Sequence, residues 1–97
     1  MKFSDKKNLP KGVSIYDFNG KTSIKLYDTY IFKIDHETMQ ITLNSGGWNT
    51  KHTKKCINMS FDSCHVNAHL FQKKGEWFVS FRDKIVPFTD SMILDAA

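Results

Sequence analysis

The sequence is poor in cysteine and lacks any long apolar run. Two cysteines, Cys56 and Cys64, are too few for the disulfide framework of a small secreted domain. No uncharged stretch approaches the roughly 20 residues that a membrane-spanning helix needs, so we expect a soluble protein with no membrane partner. The charged residues near the amino end do not resemble a signal peptide. These features predict reduced thiols in a protein that is not exported.

Proline and glycine are also scarce, at two and five residues, which argues against a low-complexity or disordered chain. With 40% hydrophobic and 13% aromatic residues, the 97-residue chain has the composition of one globular domain. We predict an amino-terminal arm or edge strand over residues 1–22 and a single α+β domain over residues 23–97. The net charge of +4 favours an acidic partner without requiring one.

In several segments apolar side chains alternate with polar ones, or β-branched and aromatic residues predominate, and both features predict strands. Six segments are assigned in this way: 23–26, 29–34, 39–43, 68–73, 77–81 and 85–88. Pro87 restricts the last of them to a sheet edge. Between the third and fourth segments the spacing changes to that of one helical face, which predicts a helix from about Lys51 to His65 capped by Thr50. The predicted fold is α+β, with a mainly antiparallel sheet of five or six strands and one helix on one face, in the order β-β-β-α-β-β-β.

The segment that joins the third strand to the helix has the most informative composition. Lysines and His52 occupy the first turns of the predicted helix, where the helix dipole favours acidic groups. A bound phosphate or nucleic acid would compensate for this unfavourable positive charge at the helix start, and Trp48 would stack on a base. The predicted anion site comprises Gly46, Gly47, Trp48, Thr50, Lys51, Thr53, Lys54 and Lys55. Alternatively, the glycines only turn the chain, Trp48 fills the core and the lysines are solvated.

Other candidate sites are weaker. His52 and Cys56 share one face of the predicted helix, but no CxxC pair accompanies them and Cys64 lies on a different face. We therefore predict no metal and no cofactor. Most carboxylates fall in predicted turns without an evident nucleophile or oxyanion site, so we predict that the protein is not an enzyme. Phe78 on the predicted strand 77–81 and Arg82 just after it form a possible outward-facing row beside basic turns.

The motif GGWxTxxTKxxIN that begins at Gly46, with segments 71–79 and 87–94, resembles a group of small proteins encoded by tailed bacteriophages. The resemblance covers about residues 23–94. It departs at Cys56, where arginine is expected, and at Ser91, where glycine is expected. The resemblance implies a non-catalytic phage accessory protein that acts by binding in the cytoplasm of the infected bacterium. Its partner would be nucleic acid or a nucleotide, or alternatively a host enzyme or antiviral defence effector that it inhibits.

Overall fold

The computed structural model describes residues 9–47 and 49–96, within which the chain forms eight strands and one helix. Their bounds are β1 Val13–Phe18, β2 Lys21–Leu26, β3 Thr29–Asp35, β4 Gln40–Leu43, α1 Lys51–Ser63, β5 Ala68–Lys73, β6 Glu76–Phe81, β7 Lys84–Pro87 and β8 Met92–Asp95. The predicted α+β class, with antiparallel strands around a single helix, is confirmed.

The strands form two antiparallel sheets and not the single sheet that we expected. The large sheet has the order β1-β2-β3-β4-β8, and the small sheet has the order β5-β6-β7. Strand β7 lies at an edge, as Pro87 predicted. The prediction missed β8, which pairs with β4 through neighbours such as Ile41 and Leu94. Four residues show too little alternation to reveal a strand, and their partner is distant in the sequence.

The amino-terminal segment joins the large sheet through β1, which pairs with β2 along its whole length. Strand β1 lies at the sheet edge, and β2 spans the predicted boundary between residues 22 and 23. Residues 1–8 lie outside the described part of the chain. The division into an arm and a domain therefore stays a prediction.

Helix α1 packs against both sheets, in contact with β2 and β3 of the large sheet and with the edge strand β5 of the small sheet. Ile57 and Phe61 are fully buried, and the ring of Phe61 meets that of Phe32 edge-on with the centroids 5.6 Å apart. Ile57 and Phe61 pack with residues of both sheets, because all of these residues share one buried cluster: Ile41, Leu43, Ile57, Phe61, Trp77 and Val79. The helix thus holds the two sheets in one core.

The helix ends two residues before the predicted His65. His65 adopts a left-handed backbone with φ of 57°, which stops the helix at Ser63. The amide of Val66 then donates to the carbonyl oxygen of Phe61 at 2.9 Å, closing a Schellman motif. Periodicity alone could not show this ending, because the usual signal is glycine and here the position is histidine.

Ser91 also has a left-handed backbone, with φ of 67°, just before β8. A left-handed conformation costs an L-residue about 1–2 kcal/mol, whereas glycine adopts it freely. We therefore expect Ser91→Gly, which restores the residue implied by the resemblance, to raise the free energy of unfolding by about 0.5–1 kcal/mol in urea titrations. Ser14→Gly, inside β1, is the control and should lower it by a similar amount. A Ser91→Gly protein less stable than the parent would contradict this expectation.

Candidate functional site

The loop between β4 and α1 is held by hydrogen bonds to its own side chains. The amide of Gly46 donates to Asn44 Oδ1 at 3.0 Å, and that of Gly47 donates to Ser45 Oγ at 3.1 Å. Thr50 caps the helix as predicted, because its hydroxyl accepts from the amide of Thr53 at 3.2 Å. These three amides, which a phosphate cradle would use, already have partners inside the loop.

Two further contacts anchor the same loop to neighbouring elements. Ser45 donates to Asp90 Oδ1 from its amide at 2.9 Å and from its hydroxyl at 2.7 Å. Gly46 has φ of 64°, and a Cβ at this position would lie 2.5 Å from Thr29 Oγ1. The loop is therefore clamped between the start of β3 and the segment that leads into β8, and Gly46 is required by both backbone conformation and space.

The remaining residues of the predicted anion site are divided between surface and core. Lys51 and Lys55 are exposed, and Lys54 Nζ donates to Gln72 Oε1 at 3.4 Å. Thr53 is buried, with 1% of its surface exposed. Trp48 lies outside the described residues. The first helical turn contains no acidic residue, so the lysines give this end of the helix a positive charge. The junction as an anion site stays a prediction.

Phe78 and Arg82, the predicted outward row, contact different rings. Phe78 stacks on Phe71 of the neighbouring strand, with centroids 5.8 Å apart. The guanidinium of Arg82 lies 5.3 Å from the ring centroid of Phe81. Phe78 therefore belongs to an aromatic row on the small sheet, whereas Arg82 covers a neighbouring ring at the β6–β7 turn.

The outer face of the large sheet is a surface that sequence reasoning missed. Strand register places six aromatic and basic residues on this side, opposite the helix, and we call them the lysine–aromatic face: Tyr16, Phe18, Lys21, Lys25, Tyr30 and Lys33. The exposed fractions of its rings are 76% for Phe18, 49% for Tyr16 and 41% for Tyr30. The alternation in β2 is the signal that could have revealed this face, because Lys21 and Lys25 alternate with the buried residues of the strand.

Tyr30 lies at the centre of the lysine–aromatic face. Its ring centroid is 6.3 Å from that of Tyr16, at an interplanar angle of 57°. Lys25 Nζ and Lys33 Nζ lie 5.6 Å and 4.9 Å from the Tyr30 centroid. A shallow depression of about 340 Å³ adjoins Tyr30 and Lys33. The ammonium groups are thus held by cation–π contacts next to open ring surface.

A β-bulge sets the orientation of these side chains. Ile24 pairs with Phe32, but the next residue, Lys25, pairs with Tyr30, so Ile31 is extra in β3. Ile31 and Phe32 are both fully buried, although they are consecutive. The extra residue lets Tyr30 and Lys33 face the same side despite their odd spacing.

In a comparison with protein families, residues 4–95 match the model described as Kyanoviridae Gp96 protein. The chain belongs to this family. Kyanoviridae is a family of phages, so the phage origin that the resemblance implied is confirmed. Neither the curated proteins nor the solved structures contain a match to this Gp96 family member.

The thiols and histidines of this Gp96 family member are engaged in local packing. His52 Nε2 donates to the carbonyl oxygen of Lys11 at 2.8 Å and lies 3.8 Å from Cys56 Sγ. Burial raises the pKa of Cys56 and of Cys64 to about 11, which keeps both thiols protonated. Over residues 9–47 and 49–96, no three potential metal-ligating side chains of His, Cys, Asp or Glu cluster together. That folding needs no metal stays a prediction.

The helical part of the described chain offers no membrane span, because α1 is neither long nor apolar enough to cross a bilayer.

Proposed function

We propose that this phage protein acts by binding and not by catalysis, and that it binds single-stranded nucleic acid on the lysine–aromatic face. The observation that carries the proposal is the interleaving of three exposed rings with three lysines on one side of the large sheet. These rings add nothing to the core, which lies on the opposite side of the sheet.

The chemistry of the face suits an unpaired strand. Exposed rings give bases a surface on which to stack, worth about 1–3 kcal/mol for each base. Ammonium groups beside the rings neutralise phosphates and release counterions. In a duplex the base faces are stacked on one another, so a flat sheet would meet only the backbone. The combination of rings and cations therefore favours single strands over duplexes.

Two carboxylates, those of Asp35 and Asp95, lie on the same side of the sheet as the three lysines. Asp35 lies at the end of β3 on the same side, but its carboxylate is directed into the β3–β4 turn. There Oδ1 accepts from the amide of Glu37 at 2.9 Å and from that of Thr38 at 3.4 Å. The three lysines outnumber these two carboxylates, which leaves the face with a small excess of positive charge.

The loop–helix junction is the second place where a strand could be held in this proposal. Its lysines would add phosphate contacts, although the bonded amides of Gly46 and Gly47 leave less of the backbone for an anion. The protein would act in the cytoplasm of the infected bacterium, where phage and host nucleic acids are both present.

Inhibition of a host enzyme or an antiviral defence effector is the alternative function. It is favoured by the outer face of the small sheet, where Phe71 and Phe78 stack and the side chain of Ile85 is 65% exposed. Such an apolar row next to the edge strand β7 could pack against a protein. Binding through it would respond weakly to salt, whereas phosphate contacts weaken steeply.

The proposed function is tested by fluorescence anisotropy with labelled single-stranded DNA, single-stranded RNA and duplex of equal length, over a series of salt concentrations. We expect single strands to bind more tightly than the duplex, and Tyr30→Ala to weaken their binding about 10- to 100-fold, the loss of one stacking ring. Phe78→Ala, on the small sheet, is the matched control and should leave the affinity unchanged.

Two results would contradict the proposal. One is equal binding of duplex and single strands with no effect of Tyr30→Ala. The other is an absence of nucleic-acid binding at low salt, which would favour the inhibitor function.

A further inference from the structure

A pocket of about 590 Å³ opens between the β2–β3 turn and the start of α1. Leu26 and Ile31 line it with buried apolar side chains, at 6% and 0% exposure. Polar groups also line it, contributed by Asp28 of the turn and by Thr50 and His52 of the helix start. The volume and the mixture of apolar and polar groups are typical of a site for a small planar ligand.

The wall formed by Tyr27 is fixed before any ligand arrives. Tyr27 has a left-handed backbone with φ of 53°, and its amide donates to the carbonyl oxygen of Gly12 at 2.8 Å. Its ring packs against the backbone of Gly12, where a Cβ would lie 2.7 Å from ring atoms. The ring of Tyr27 is nevertheless 58% exposed, so it is held in place with surface left for stacking.

Another contact fixes the pocket near the helix. His52 Nε2 donates to the carbonyl oxygen of Lys11 at 2.8 Å, and both residues line the pocket. The segment before β1 is thereby tied to the first turn of α1. Two hydrogen bonds, one to Tyr27 and one to His52, thus join the segment before β1 to two walls of the pocket.

The pocket adjoins the lysine–aromatic face. Asp28 and Thr29 line both the pocket and the shallow depression beside Tyr30 and Lys33. A strand that crosses Tyr30 would therefore reach the pocket around the β2–β3 turn without leaving the protein surface.

We propose that this pocket receives one unstacked nucleobase of the strand bound on the lysine–aromatic face, an inference that rests on the proposed function. The base would stack on Tyr27 above the apolar floor of Leu26 and Ile31. The carboxylate of Asp28 can accept from an exocyclic amino group of the base. This chemistry favours cytosine, adenine or guanine over thymine or uracil, which lack that amino group.

The test compares the parent protein with Tyr27→Asn. Asparagine tolerates a left-handed backbone, so this change removes the ring while keeping the turn. We expect the affinity for a single-stranded oligonucleotide to fall about 10-fold, the usual effect of removing a stacking ring. Ile85→Asn, a similarly exposed apolar position on the small sheet, should have no effect.

A second measurement reports on the pocket directly. Titration of the parent with cytidine monophosphate should shift the methyl NMR signals of Leu26 and Ile31, and uridine monophosphate should shift them less. If the parent binds oligonucleotides but neither Tyr27→Asn nor the mononucleotides have an effect, the pocket proposal is wrong and the proposed function stands. If the parent binds no oligonucleotide, both are overturned.

Discussion

Replacing Lys25 and Lys33 together by glutamate is expected to weaken binding of a single-stranded oligonucleotide by about 10²- to 10⁴-fold. Each lysine would lose a charge-assisted hydrogen bond worth about 1.5–3 kcal/mol. Their ammonium groups lie 5.6 Å and 4.9 Å from the Tyr30 ring, so a phosphate next to a base stacked there would meet both. The slope of log K against log salt should fall by about 0.7 for each phosphate that is no longer neutralised. Anisotropy titrations at several salt concentrations measure both quantities.

Lys51→Glu with Lys54→Glu is the matched control for that double variant. Either pair of changes lowers the net charge from +4 to 0, so any difference between the two proteins reports position and not total charge. The control should be no less stable than the parent, because acidic groups suit the start of a helix, and its affinity should fall less. A greater fall in the control would identify the loop–helix junction as the main site and contradict the proposal for the lysine–aromatic face.

Phe61→Ala is expected to lower the free energy of unfolding by about 3–5 kcal/mol, the largest change in stability that we predict. Phe61 is fully buried on α1 and touches Phe32 of the large sheet, so its removal leaves a cavity where the elements meet. Small domains are stable by only about 5–15 kcal/mol, so the variant should approach its unfolding midpoint at room temperature.

Urea titration followed by circular dichroism measures this destabilisation. Phe18→Ala removes the same atoms from a side chain that is 76% exposed, and it should change stability by no more than about 0.5 kcal/mol. If Phe61→Ala cost less than about 1 kcal/mol, the core would not depend on this ring.

Sequence reasoning correctly predicted the parts of the fold that depend on the local periodicity of apolar residues. Ile41 and Leu43 alternate with polar neighbours, and they form β4. Ile57 and Phe61 lie one helical turn apart, and both are buried in α1. The Thr50 cap followed from a hydroxyl placed before this helical pattern. In each case the neighbours within four residues carried the information.

What sequence reasoning missed depends on contacts between distant residues. Strand β8 becomes visible only through its pairing with β4, about 50 residues earlier in the chain. The division into two sheets depends on which strands pair, and alternation within a strand does not specify its partner.

The candidate site has the same limitation. The alternation in β2 indicates that Lys25 faces outward. Tyr16 lies on the same face only because β1 pairs with β2 in the observed register. The amides of Gly46 and Gly47 donate to nearby side chains. The orientation of those side chains depends on the backbone conformation of the loop, which the sequence does not show.

The bulge at Ile31 affects which changes of chain length other members of this phage family could tolerate in β3. Because Ile31 is the extra residue between the outward Tyr30 and the inward Phe32, deleting its codon would leave Tyr30 paired with Lys25 and Phe32 paired with Ile24, so both parts of β3 would keep their sides. Such a deletion would remove one fully buried side chain and reduce the local twist of the strand, while Tyr30 and Lys33 stayed on the outer face. A relative without this residue could therefore keep the binding surface on a regular β3, so in this segment the side on which each residue lies is under stronger constraint than chain length.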